Sequence, residues 1–142
     1  MADLAKTLLD NPAFEQVPKV ISPTAHGVID YLVVAYYFGI AGACWNSSKR
    51  ASIAALANGA AVLGTSMMTD YWGDGRKPIS FATHGVIDCF QGAAAALAPL
   101  LLGFADEGAA SLFWAQAGSE AGVLAMTDFH AADRTEERLA AA

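Results

Sequence analysis

A ten-residue segment occurs twice in this chain, and that repetition decides most of what the chain can fold into. Ile21-Ser22-Pro23-Thr24-Ala25-His26-Gly27-Val28-Ile29-Asp30 matches Ile79-Ser80-Phe81-Ala82-Thr83-His84-Gly85-Val86-Ile87-Asp88 at seven of ten positions, with an offset of 58 residues. The same offset aligns Met68-Thr69-Asp70-Tyr71 with Met126-Thr127-Asp128-Phe129, Asn58 with Gln116, and Gly64 with Gly122. A single offset that holds at both ends of a unit indicates a tandem duplication.

The matched ends bracket apolar stretches at 24–45, 51–69, 81–104 and 109–129. Each approaches the roughly 20 residues that a helix needs to cross a bilayer. The chain is 55% hydrophobic and only 15% charged, against about 25% charged in soluble domains. Abundant Ala and Gly, with no alternating strand pattern, favour closely packed helices over a barrel. The expected fold is all-α: an integral membrane four-helix bundle, built as a tandem duplication of a two-helix hairpin. Each unit has an even number of spans, so both insert with the same orientation and the pseudo-twofold axis lies along the membrane normal. The expected organisation is an N-terminal arm over 1–20, a first two-span repeat over 21–78, a second over 79–130, and a charged tail over 131–142.

The arm mixes Asp3, Lys6, Asp10, Glu15 and Lys19 with two prolines and contains no apolar core of a cleavable signal. Six of the eight Lys and Arg residues (Lys6, Lys19, Arg76, Lys77, Arg134, Arg138) fall on the face that holds both termini and the middle loop. Positive charge on that face places both termini in the cytoplasm, in an inner (plasma) membrane. The net charge of −6 offers no basic stripe for nucleic acid. Cys44 and Cys89 differ in expected depth by roughly 18 Å, too far for a disulfide.

The pattern His-Gly-Val-Ile-Asp-Tyr opening a span, Thr-Asp-Tyr closing the next, and the recurrence of both resemble the small bacterial membrane proteins of the SPW-repeat type over residues 20–130. In the second unit Ala98-Pro99-Leu100, followed by Gly103-Phe104-Ala105-Asp106, stands where the namesake Ser-Pro-Trp is expected; the first unit lacks it. The resemblance implies a four-span topology and no particular activity.

His26/Asp30 and His84/Asp88 are spaced i, i+4, so each pair shares one helix face. Ionisable groups inside a span are costly and face the bundle interior with a partner. Helical spacing extends these lines inward: His26, Asp30, Val33, Tyr37; Asn58, Val62, Thr65, Thr69; His84, Asp88, Gln91, Ala95; and Gln116, Glu120, Val123, Thr127. Helices two and four end at Asp70 and Asp128, near the same face as the histidines.

Four functions fit this pattern. His26, Asp30, Asp70, His84, Asp88 and Asp128 form a ligand set suited to Zn2+, Mn2+ or non-haem iron. Alternatively His26 and His84 serve as axial ligands to a haem, with room for the macrocycle along Gly92 to Ala96. The His-Asp pairs can also simply pin helices in a structural or accessory subunit of a larger membrane assembly or homo-oligomer, with Trp45, Trp72, Phe113 and Trp114 facing lipid or partner helices. Finally, Glu120, at a position held by Val62 in the first unit, can anchor a proton or ion path with Gln91, Gln116 and Asn58. No nucleophile elbow, phosphate-cradling loop or Cys-based metal motif points to a soluble enzyme.

Overall fold

The computed structural model describes Thr7 and residues 16–131. Most of the expected N-terminal arm and nearly all of the charged tail lie outside the described residues. Helix α1 is Pro23–Cys44, α2 is Lys49–Met68, α3 is Phe81–Leu101 and α4 is Ala109–Met126. These elements begin and end within a few residues of the apolar stretches. Three of them, α1, α2 and α3, are long and apolar enough to cross a membrane. The fourth, α4, is 18 residues long and carries Gln116, Ser119 and Glu120, which lower its hydropathy.

Local chemistry sets the helix starts. Ser22 accepts from the Ala25 amide at 3.3 Å and Ser80 from the Thr83 amide at 3.2 Å, so each serine caps its helix. Pro23 occupies the first position of α1, where its missing N–H is no loss. Ser48 caps α2 in the same way, through the Ala51 amide at 3.2 Å. At the other end of α3, Pro99 lies within the final turn, and Gly103 takes φ +70 to turn the chain out of the helix. Arg50 donates to the Gly103 carbonyl at 2.7 Å and so joins the two far loops.

Helix α2 leaves as a short strand, β1 (Thr69–Asp70), which pairs in parallel with β2 (Ile79–Ser80) just before α3. A second parallel bridge joins Ile21 to Thr127, just before α1 and just after α4. Its bonds run from Ile21 N to the Met126 carbonyl at 3.0 Å and from Asp128 N to the Ile21 carbonyl at 3.1 Å. Thr69 and Thr127 both adopt extended backbone as they end their helices. β-Branched residues accept that conformation readily. The two bridges tie the exit of each hairpin to the entry of the other.

The main hydrophobic core lies toward the far end of the bundle. Tyr37, Ile40, Ala54, Ala55, Ala98, Phe104 and Phe113 meet there. Phe113, expected to face outward, is instead fully buried, with its ring 5.2 Å from Phe104 and 5.8 Å from Tyr37. Trp114 faces outward as expected and donates to the Ala96 carbonyl at 3.1 Å. Large apolar side chains cover much of the outer surface, among them Leu32, Ile53, Phe90, Leu100 and Leu112. An exterior with this many exposed apolar side chains, on a chain with so little charge, suits lipid contact. Both thiols are free.

A second, smaller cluster of Tyr71, Phe81 and Phe129 sits at the opposite end. Tyr71 lies against Gly27 and Phe129 against Gly85, so each hairpin folds an aromatic ring back onto its own first helix. A Cβ at Gly85 would come within 2.6 Å of the Phe129 ring, whereas one at Gly27 would come only within 3.3 Å of Tyr71. Gly85→Ala should therefore destabilise the protein by about 1–3 kcal/mol through overpacking. For Gly27→Ala the gain in helix propensity, about 1 kcal/mol, offsets much of a milder clash. Thermal unfolding of the two variants in detergent should give a clearly lower midpoint for Gly85→Ala.

Candidate metal centre

The helix entries and the strand bridges bring four ionisable side chains together: His26, Asp30, His84 and Asp88, all buried. One donor atom from each lies within 4.8 Å of all the others. Within a helix, His26 Nε2 is 3.4 Å from Asp30 Oδ1 and His84 Nε2 is 3.0 Å from Asp88 Oδ2. Across the hairpins, His26 Nε2 is 3.1 Å from Asp88 Oδ2 and His84 Nε2 is 3.1 Å from Asp30 Oδ2. Each histidine thus faces both carboxylates.

The other ring nitrogens are held by the residues that end α2 and α4. His84 Nδ1 lies 2.8 Å from Thr69 Oγ1, and His26 Nδ1 lies 2.9 Å from Thr127 Oγ1. Each hydroxyl donates in turn to a carbonyl one turn back in its own helix, Thr69 to Thr65 and Thr127 to Val123, both at 2.7 Å. A hydroxyl has one proton to give. With that proton committed to the carbonyl, the threonine oxygen is left to accept, so Nδ1 of each imidazole carries the hydrogen. The Nε2 atoms then point at the carboxylates either as bare lone pairs or, in an imidazolium, as donors.

The two histidines differ at Nε2. His26 makes a hydrogen bond to Asp88, but His84 Nε2, although close to two carboxylate oxygens, has no hydrogen-bond partner. Its ring direction misses both oxygens. A buried ring nitrogen paired with two carboxylate oxygens but poorly aligned with both is the kind of atom a metal bond satisfies.

Aromatic rings close the outer side of the quartet. Phe81 and Phe129 each approach the His26 ring edge-on at 5.4 Å, and Tyr71 approaches His84 at 5.4 Å. Tyr71 also donates to Asp30 Oδ2 at 2.6 Å. Phe129, its counterpart at the 58-residue offset, has no hydroxyl to offer Asp88, so the two carboxylates are not equivalent.

Of the six residues expected to form a ligand set, four converge. Asp70 is used elsewhere: its oxygens accept from the amides of Gly73 at 3.0 Å and Gly75 at 2.6 Å, which shapes the loop between β1 and β2. Asp128 is half-buried and is not among the converging donors. His130 is exposed. Asn58 bonds back to the Ala54 carbonyl of its own helix at 2.9 Å. Gln91, Gln116 and Glu120 line a cavity that His26, Asp30 and Asp88 also line. Thr69 and Thr127 have the clearest positioning role. The Met-Thr-Asp-aromatic repeat marked these threonines, but their part in orienting the histidines needs the strand bridges to be seen. Comparison with family models, curated proteins and solved structures returned no match.

Burial, and then the bond to Asp30, push the Tyr71 phenol above its ordinary value of 10.0. The native phenol therefore stays protonated where the unfolded one would ionise. The stability it contributes is complete below about pH 10 and declines as pH rises further. Between pH 7 and 11, the ultraviolet tyrosinate signal of Tyr71→Phe should match that of the wild type. The same variant should lose about 1.5–3 kcal/mol at neutral pH, the range for a hydrogen bond to a charged group.

Proposed function

We propose that this is a multi-pass membrane protein that holds one transition-metal ion, of the Zn2+, Mn2+ or Fe2+ class, between His26, Asp30, His84 and Asp88. The observation that carries the proposal is the convergence of these four buried donors, with threonine–carbonyl pairs turning both Nε2 atoms toward the carboxylates. Ions of this class take mixed imidazole and carboxylate donors. In a tetrahedral site with bonds near 2.0–2.1 Å, neighbouring donor atoms stand about 3.3 Å apart. The separations through Asp88 Oδ2 and Asp30 Oδ2, 3.0 to 3.1 Å, lie near that value. The 3.4 Å contact of His26 uses the other oxygen of Asp30, and the four donors together spread up to 4.8 Å, so small side-chain shifts would close them on an ion. A dication would also neutralise two carboxylates that are otherwise costly to bury.

The arrangement favours a bare ion over haem. A macrocycle would have to pass between two imidazoles whose centroids are 5.3 Å apart and which share the same carboxylates. The Gly92 stretch does not offer the space either, since Gly92 packs toward the Glu120 carboxyl.

The second reading is a metal-free ion quartet, two imidazoliums against two carboxylates, that only pins the helices. The hydrogen bond from His26 to Asp88 favours it. Purified protein, analysed for metal after brief chelation and reconstitution, separates the two. The metal reading expects one ion per chain, lost in the His26→Ala/His84→Ala double variant and retained in Asp70→Asn. Thr69→Val and Thr127→Val should each weaken binding about 10–100-fold, the usual effect of removing a partner that orients a metal-bound histidine. No bound metal, together with a melting point indifferent to chelator, would leave the pinning quartet.

We further propose that the chain is a tandem duplication of two-span hairpins in the inner membrane, akin to the SPW-repeat type, with both termini cytoplasmic. The offset of 58 and the six basic residues on one face support this reading. Reporter fusions at residue 142 and in the 103–108 loop should report opposite sides of the membrane.

A further inference from the structure

The quartet is closed on its outer side by aromatic rings, but on the inner side it opens into the bundle. A cavity of about 20 Å3 begins at His26, Asp30 and Asp88 and runs inward to Gln91, Gln116 and Glu120. That volume is close to what one water molecule requires.

The two hairpins contribute unlike residues to this cavity. Val33 and Val62 come from the first and Gln91 and Glu120 from the second. These are equivalent positions at the 58-residue offset: Val33 corresponds to Gln91 and Val62 to Glu120. Val34 likewise corresponds to Gly92, where a side chain would meet the Glu120 carboxyl at 3.4 Å. The differences in the second half thus add an amide and a carboxyl, with a glycine where the carboxyl packs.

One group in this lining is unsatisfied, and two amides stand beside it. Gln91 and Gln116 are each only 8% exposed and border the same space. Glu120 Oε2 is buried without a partner. Buried carboxyls are almost always bonded, and leaving one bare costs more than a hydrogen bond returns. A bare carboxyl oxygen with two amide side chains around one water-sized space calls for a small occupant that both donates and accepts.

We propose that this cavity is the exogenous-ligand pocket of the metal centre and that its ligand is water or hydroxide. The molecule sits against the ion on one side. It donates to Glu120 Oε2 and exchanges hydrogen bonds with Gln91 and Gln116 on the other. Neither wall leaves room for an organic substrate. The assignment rests on the metal reading above, but it fails separately from it.

Protein loaded with Mn2+ in lipid nanodiscs provides the test. Metal content is measured first, and then the relaxation of bulk water protons, which responds to water exchanging on the ion. The wild type should show one ion per chain and the enhancement of a directly bound water. Glu120→Leu and the Gln91→Met/Gln116→Met double variant should keep the ion and drop to the level of manganese with no bound water. Full metal content with no such enhancement in the wild type would overturn the pocket and leave the metal site standing. Enhancement unchanged in variants that still bind metal would overturn the role given to Glu120 and the glutamines. Absence of metal from the wild type would overturn both readings. The wild-type measurement alone is decisive if a variant fails to fold, and Glu120→Gln, which preserves size, should retain metal with a slower or weaker water signal.

Discussion

Two carboxylates buried opposite each other cannot both stay ionised without positive charge between them, and the arrangement around Asp30 and Asp88 follows from that requirement. Each aspartate sits one turn below a histidine of its own helix and faces the histidine of the other hairpin, at 3.1 Å in both directions. Charge balance is reached either by two imidazoliums or by a dication with two neutral imidazoles. Both solutions need all four side chains, because removing one partner of a buried ionic set leaves the others uncompensated. The quartet therefore couples the two hairpins at this end of the bundle, as the shared apolar core does at the other.

The parallel bridges give this coupling its direction. Because Thr69 leaves α2 in extended form and pairs beside Ile79, its hydroxyl reaches His84 in the next helix. Because Thr127 pairs beside Ile21, its hydroxyl reaches His26 at the start of the chain. Each threonine serves the histidine of the other hairpin, while the aromatic residue two positions later folds onto a glycine of its own. One short segment thereby fixes both the contact within a hairpin and the contact between hairpins.

Much of this was legible in the sequence. Four apolar stretches near span length located four helices, and the inward lines read from helical spacing fall on buried or half-buried positions throughout. His26, Asp30, His84 and Asp88 were marked by recurrence and by i, i+4 spacing. Three things were not legible, each for a physical reason. Asp70 shares the repeat but turns to the Gly73 and Gly75 amides, because a loop with two glycines at positive φ presents N–H groups that a carboxylate satisfies locally. Phe113 was taken for an interfacial ring, since aromatics near a span end suit both the membrane boundary and a core; packing against Tyr37 and Phe104 decided between them. The two-residue strands carry too few residues to leave any alternation in the sequence.

The departures from symmetry are more informative than the symmetry. A pure repeat would place like residues on both sides of the central axis, and a helix-pinning quartet would need nothing more. Instead the second half has Gln91 and Glu120 where the first has Val33 and Val62, around a single space next to the quartet. Tyr71 is matched by Phe129, so Asp30 receives a hydroxyl and Asp88 does not. Polar groups placed in a bundle interior reduce stability unless something occupies them. Their concentration in the second half, beside the carboxylate that lacks a phenol, is a feature that helix pinning alone does not require.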